Sequence, residues 1–287
     1  MSKNIMKKVI CGVLATTSLA GCVAMATACE TNTPEVTLTI SFNEETYELD
    51  YKLDRRVAPR TVKHFLWLAE NNYYDGLCVH DYADDKMYTG GYTYTEAGDL
   101  EAENYYAFVE GKVAEKKDFP VSVWAEKEGE EVLYTLAGEF KDANFVVSSG
   151  YTRQSYGSLT MYYTAKTTDE QVGVEYLSKN DGSRAWREYK YNSATSLFYI
   201  SLTNTSADSA YCTFATLEDS SKETLEALED ALEAYIDENY GDEGDSFTAS
   251  KTETVNEDDP IENKKSTVTY DVPKSPIVIE SIVVKKY

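Results

Sequence analysis

The chain has 287 residues, 42% hydrophobic and 13% aromatic, with 50 acidic side chains against 27 basic ones and a formal charge of -23 at pH 7. That apolar content supports a full core and excludes a disordered chain, while the charge argues against binding nucleic-acid phosphates or anionic lipid by electrostatics. Cys11, Cys22, Cys29, Cys78 and Cys212 are too few and too scattered for a disulfide framework, and none shows C-x-x-C zinc spacing.

Lys3, Lys7 and Lys8 precede an apolar run over 9–19 that is too short to span a bilayer, which is the plan of a secretory signal. The run ends in Leu19-Ala20-Gly21-Cys22, a sequence that resembles the bacterial lipobox. Residues 1–21 are therefore expected to be removed as a lipoprotein signal peptide, with Cys22 lipidated and the chain anchored outside the cytoplasm by its acyl chains. Cys29, after Ala26-Thr27-Ala28, is the rival site. Residues 22–34 read as a flexible tether, leaving 35–287 as one domain.

Alternation over 36–42 and 46–53 predicts two strands joined at Asn43-Glu44-Glu45. Ala58-Pro59 followed by Val62, Phe65, Leu66 and Ala69 predicts a first helix that stops at Asn71-Asn72. From 73 to about 211 the short Tyr-, Val- and Thr-rich runs, broken by turns such as Asn180-Asp181-Gly182, predict strands. Ser220 and Glu223 have capping-box spacing before a second helix whose Leu225, Leu228, Leu232, Tyr235 and Ile236 form one stripe. An acidic loop over 241–262 then precedes closing strands at 266–272 and 277–284. Two helices among eight or more strands point to a mainly β, closed barrel rather than an α/β sheet.

Several blocks arrive in an order that resembles the cyclophilin-type peptidyl-prolyl cis-trans isomerase family. They are Ala58-Pro59-Arg60-Thr61-Val62 through Tyr73-Tyr74-Asp75-Gly76, Met87-Tyr88-Thr89-Gly90-Gly91, Leu136-Ala137-Gly138-Glu139-Phe140 and Gly157-Ser158-Leu159-Thr160-Met161. Then come Asn192 through Ser196-Leu197-Phe198-Tyr199-Ile200, Tyr211-Cys212-Thr213-Phe214-Ala215, and the closing Pro276-Ile277-Val278-Ile279. The resemblance implies a closed eight-stranded antiparallel barrel capped by two helices, interrupted by insertions near 96–133, 166–190 and 241–265.

An X-Pro bond turns slowly because rotation breaks amide resonance, a barrier of ~18–20 kcal/mol, and catalysis must favour the twisted amide. In cyclophilins the arginine of F-H-R supplies the donor, but here the triplet reads Val79-His80-Asp81. A carboxylate accepts rather than donates hydrogen bonds, so Asp81 reverses the required charge. The family's glutamines fall on Thr89 and Leu197 and its histidine on Tyr211. The resemblance leaves His80, Met87, Phe198 and Tyr199 as candidates for holding a proline-containing peptide, with Tyr199 as the floor of a shallow pocket. Arg153, Arg184 and Arg187 stand near the insertions as possible substitute donors.

The expected function is that of a membrane-anchored, extracytoplasmic isomerase-fold protein with a degenerate site, a weak binder of proline-containing polypeptides or a folding helper. The alternative is a non-catalytic surface lipoprotein whose insertions form the partner face. His64 and His80 are the only histidines, no metal-ligand, nucleotide or hydrolase motif occurs, and no metal or cofactor is expected. The acids of 237–245 miss the glycine and glutamate spacing of a calcium loop.

Overall fold

The computed structural model describes residues 31–95, 98–115, 136–140, 150–162, 172–177, 184–189, 193–205, 211–241, 246–255 and 266–287. The expected signal segment, Cys22, Cys29, the expected turn at Asn180-Asp181-Gly182 and part of each expected insertion lie outside these residues. No helix among the described residues is long and apolar enough to cross a membrane.

In chain order the elements are β1 (Glu35–Phe42), β2 (Glu45–Leu53), α1 (Pro59–Glu70), β3 (Asp81–Ala83), β4 (Lys86–Thr89), β5 (Tyr92–Tyr94), β6 (Leu100–Ala102) and α2 (Tyr105–Ala114). They continue as β7 (Leu136–Ala137), β8 (Leu159–Met161), β9 (Val172–Leu177), β10 (Arg184–Tyr189), β11 (Ser193–Ala194), β12 (Phe198–Ser201) and β13 (Cys212–Leu217). The last are α3 (Lys222–Tyr240), β14 (Thr248–Val255), β15 (Ser266–Pro273) and β16 (Ile277–Lys286).

The period-two pattern of β1 and β2 buries Val36, Leu38 and Ile40 against Tyr47, Leu49 and Tyr51 in one core. Phe42 pairs with Glu45, so the hairpin loop is two residues, Asn43 and Glu44, with φ of 50° and 68°. The strand thus begins one residue earlier than predicted, because a two-residue turn with both φ positive matches the twist of its strands. Eight strands form one antiparallel sheet in the order β16-β1-β2-β13-β8-β12-β4-β3.

The barrel is not closed as the sequence predicts: β3 and β16 share no regular ladder and the barrel is open there. The irregular stretch before β3, where Gly76 takes φ of 83°, crosses the gap instead. Gly76 and Val79 donate backbone hydrogen bonds to Ile279 and Ile277 at 2.8 Å each, and Ile279 donates to Leu77 at 2.7 Å.

α1 drives Phe65 between the β12 and β13 aromatics, 5.5 Å from Phe198 and 5.0 Å from Phe214. α3 buries Leu225, Leu228 and Leu232, and sets Tyr235 edge-on to Phe42 at 5.3 Å. Its expected capping box at Ser220 does not form: a 3-10 turn over Asp219–Ser221 leads into the helix, and the Ser221 hydroxyl accepts from the Asp50 amide at 2.9 Å. Binding the hydroxyl to the barrel takes it away from the helix end.

Two elements depart from expectation outright. α2 is a third helix in a region read as strands, and β14 pairs with β15 over its full length in the stretch expected as an acidic loop. Residues 31–34, expected as the end of a flexible tether, are tied down. The Leu53 amide donates to Pro34, the Arg55 amide to Asn32, and the Thr31 amide to Tyr287, at 2.8–2.9 Å.

Candidate functional site

Register decides which side chains share the outer face. Asp81 pairs with Tyr88, Tyr88 with Tyr199, Tyr199 with Thr160 and Thr160 with Thr213. Directly opposed residues project to the same face, so these five form one row across four strand pairs. Alternate positions face inward: Met87, Phe198 and Ile200 are fully buried core residues. Met87 and Phe198 were expected to touch peptide, and the one-residue phase of the strand puts them in the core instead.

His80, Asp81, Tyr88, Tyr162, Leu197, Val268, Thr269 and Tyr270 line a cavity of about 220 Å³ beside β3. β15 forms one wall, so the stretch read as an acidic insertion turns out to shape the site. The β14–β15 hairpin is latched to the β5–β6 hairpin. Tyr92 and Tyr270 share a hydroxyl hydrogen bond of 3.2 Å, Tyr94 donates to the Pro273 carbonyl at 2.5 Å, and Lys251 pairs with Asp99.

The Asp81 carboxylate accepts from the Asp271 amide through Oδ1 at 2.9 Å. Burial pushes its carboxyl above the ordinary range, partly offset by that hydrogen bond. His80 is buried between Tyr92, 4.7 Å away, and Tyr270, 4.9 Å away. Its Nδ1 has no hydrogen-bond partner, and burial pushes its imidazole down to about 3, so it is neutral at physiological pH. Tyr88 is pushed up to about 12, by burial first and then by the nearby Asp81 charge.

Tyr199 is 2% exposed, and its hydroxyl is held by Gln154. The Tyr88 ring packs at a tilt of 50° with its centre 5.1 Å away, and Lys86 Nζ, paired with Asp85 at 2.7 Å, lies 5.7 Å from the Tyr199 ring centre. Thr89 is fully buried and donates to the Cys78 carbonyl at 2.8 Å, which removes it from the outer face. Leu197 lines the cavity, and Tyr211 stays exposed with its ring 6.4 Å from Tyr199.

Among the described residues no arginine or lysine lines the cavity. Arg153 is exposed and is not among the lining residues, and Arg56 pairs with Asp54 at 2.7 Å. The side chains of Arg184 and Arg187 lie outside the description. No group of three or more His, Cys, Asp or Glu side chains is placed to hold a metal ion among the described residues.

The profile of the family described as cyclophilin type peptidyl-prolyl cis-trans isomerase/CLD matches residues 37–265. The chain belongs to that family. Curated relatives of this cyclophilin-type chain include a Staphylococcus aureus (strain USA300) protein named "Putative peptidyl-prolyl cis-trans isomerase", 41% identical over 44 residues, which are 15% of this chain and 22% of the relative. Its namesake from Staphylococcus haemolyticus (strain JCSC1435) is 35% identical over 68 residues, 21% of this chain and 34% of the relative. The cyclophilin-type chain thus spans 22–34% of the length of these relatives.

Among solved structures, it is similar to a Cryptosporidium parvum cyclophilin type peptidyl-prolyl cis-trans isomerase at 15% identity and TM-score 0.44, over 89% of this chain and 99% of that one. That protein has also been solved in the presence of the dipeptide Ala-Pro. The Mimivirus cyclophilin is similar at 16% identity and TM-score 0.35, over 69% of this chain and 79% of that one.

The structure brings His80, Asp81 and Leu197 together as lining of one cavity, and adds Tyr88, Tyr162 and Tyr270 to them. Tyr88 was readable only by counting pairing register. Tyr270 carried no signal, because its strand reaches the site from the far end of the sequence.

Proposed function

We propose that the chain is an extracytoplasmic, lipid-anchored cyclophilin-type protein that weakly holds proline-containing polypeptide segments and has lost most isomerase chemistry. The observation that supports this most is the Asp81 carboxylate in the cavity beside β3, with no guanidinium lining that cavity among the described residues. A twisted X-Pro amide exposes a nitrogen lone pair, and a carboxylate repels it where a donor would stabilise it. Half-buried Tyr88, beside Asp81 and packed against the Tyr199 ring, still offers an aromatic surface of the kind a proline ring packs on. The anchor rests on Leu19-Ala20-Gly21-Cys22 after a short apolar run.

The deciding experiment is a coupled X-Pro isomerisation assay on the full purified chain, at low temperature where the uncatalysed step takes minutes. The expected rate equals background, while the wild type slows the NMR exchange of a prolyl peptide that it binds. Catalysis at a rate typical of the family overturns the loss of chemistry, and absence of any prolyl-peptide binding overturns the holding role. Cys22→Ala is expected to move the protein from the membrane fraction to the soluble one; retention in the membrane overturns the anchor.

A further inference from the structure

We infer that the cavity beside β3 is a cage for an organic cation, taking the ammonium or guanidinium group of a ligand between the Asp81 carboxylate and the faces and edges of Tyr88, Tyr162 and Tyr270. This goes beyond the holding of prolyl segments and stands whether or not that holding occurs.

Pairing register places Tyr88 directly beside Asp81, and Tyr162 meets Tyr88 edge-on with ring centres 6.0 Å apart. β15 brings Tyr270 in from the opposite wall, held by its hydroxyl bond to Tyr92. Aromatic rings carry negative charge on their faces, and a cation within about 6 Å of a ring centre is attracted to them, more strongly where water is excluded.

The carboxylate is only half satisfied. Asp81 Oδ1 takes the Asp271 amide, and Oδ2 has no hydrogen-bond partner among the described residues. Among the described residues no lysine or arginine lines the cavity to neutralise it, and His80 beside it is uncharged, with Nδ1 buried and unpartnered. A partly buried carboxylate without a counter-charge is costly, and a bound cation offsets that cost.

The cavity volume is about 220 Å³, against the ~30 Å³ share of one water molecule in the liquid, which admits an ammonium with its alkyl groups. An anion is disfavoured by Asp81, and a neutral apolar ligand would bury Oδ2 without compensation. The adjoining ring already shows the same chemistry: Lys86 Nζ sits 5.7 Å from the centre of Tyr199, next to Tyr88 in the row. The chain's charge of -23 raises the local concentration of cations around it.

The test is isothermal titration of the full chain with choline, Nα-acetyl-lysine amide and Nα-acetyl-arginine amide, against 3,3-dimethylbutan-1-ol, the neutral isostere of choline. At least one cation is expected to bind, with the isostere about tenfold or more weaker. Asp81→Asn keeps an acceptor for the Asp271 amide and removes the charge, so it is expected to weaken the cation about tenfold and leave the isostere unchanged. Tyr162→Ala alters an exposed ring and is expected to weaken the cation severalfold, with circular dichroism confirming that both variants are folded.

Tighter binding of choline identifies a free quaternary amine as the ligand class, and tighter binding of the amino-acid amides identifies a basic side chain of a polypeptide; both support the cage. Equal binding of the isostere, an unaffected Asp81→Asn variant, or no cation binding below about 10 mM overturns it. None of these readouts uses prolyl-bond isomerisation, so the cage and the isomerase-fold reading fail separately.

Discussion

Gly90 has φ of 95°, and a Cβ on it would stand 2.5 Å from the Ser196 carbonyl oxygen, inside the strand turn that leads to Leu197. The substitution Gly90→Ala therefore meets a backbone atom that no rotamer change can move, in addition to the strain of a left-handed conformation. Gly76 has φ of 83° with nothing within 4 Å, so Gly76→Ala meets only the backbone term. The expected losses in denaturant-measured stability are about 1 kcal/mol for Gly76→Ala and about 2–4 kcal/mol for Gly90→Ala. Equal losses would show that the contact with Ser196 does not matter. The Gly90-Gly91 motif was legible as part of Met87-Tyr88-Thr89-Gly90-Gly91, but the phase of its strand was not. A motif fixes order along the chain, whereas facing depends on the Tyr88–Tyr199 register, and that is set by partners far away in sequence.

α1 has no acidic residue in its first turn and no side-chain cap of its own. The cap comes from Glu139, 2% exposed, whose two carboxylate oxygens accept from the Arg60 amide at 3.0 Å and the Thr61 amide at 2.8 Å. The positive end of the helix and two otherwise unmet amides both favour that placement. Removing it by Glu139→Ala leaves buried donors unpaired and is expected to cost about 1–3 kcal/mol in chemical denaturation. Because α1 carries Phe65 into the core, the loss should appear as global destabilisation; a change under about 0.5 kcal/mol would show that water replaces the carboxylate.

The barrel strands and α1 were legible because one face of each is apolar at the right period. α2 was not, since Tyr105, Phe108, Val109 and Val113 have strand-like propensity and Gly111 interrupts it. The usable signal was Asn104, whose side chain accepts from the Ala107 amide at 3.0 Å as an N-cap. β14 reads Thr-Ala-Ser-Lys-Thr-Glu-Thr-Val, polar on both faces, so no apolar alternation marks it, and only its β-branched threonines favour a strand.

Both histidines of this strongly acidic molecule are buried, and burial pushes His64 down to about 4 and His80 to about 3. His64 is built into the packing of α1 against the barrel, with Nε2 2.9 Å from the Thr195 carbonyl and 3.1 Å from the Tyr105 hydroxyl. In the unfolded chain both imidazoles take up protons near pH 6.5, while in the folded chain they stay neutral until much lower pH. Below 6.5 the unfolded state therefore binds up to two more protons than the folded one, and stability falls as pH falls. Each histidine contributes about 1.4 kcal/mol per pH unit, so the histidine share of the slope between about pH 6 and 4.5 approaches about 2.7 kcal/mol per unit. Opposing groups overlap this range: burial raises the carboxyls of Glu139, Asp75 and Asp81, so the folded state takes up their protons before the unfolded chain does as pH falls, which favours the folded state and offsets part of the histidine slope. The acid limb should thus be steepest just below about pH 6 and flatten on further acidification as the raised carboxyls take up protons in the folded protein. His80→Gln is expected to halve the upper slope whatever it does to absolute stability, because the slope counts protons and not contacts. An unchanged slope in pH-resolved denaturation would mean that His80 takes up its proton in the folded protein as readily as in the unfolded chain.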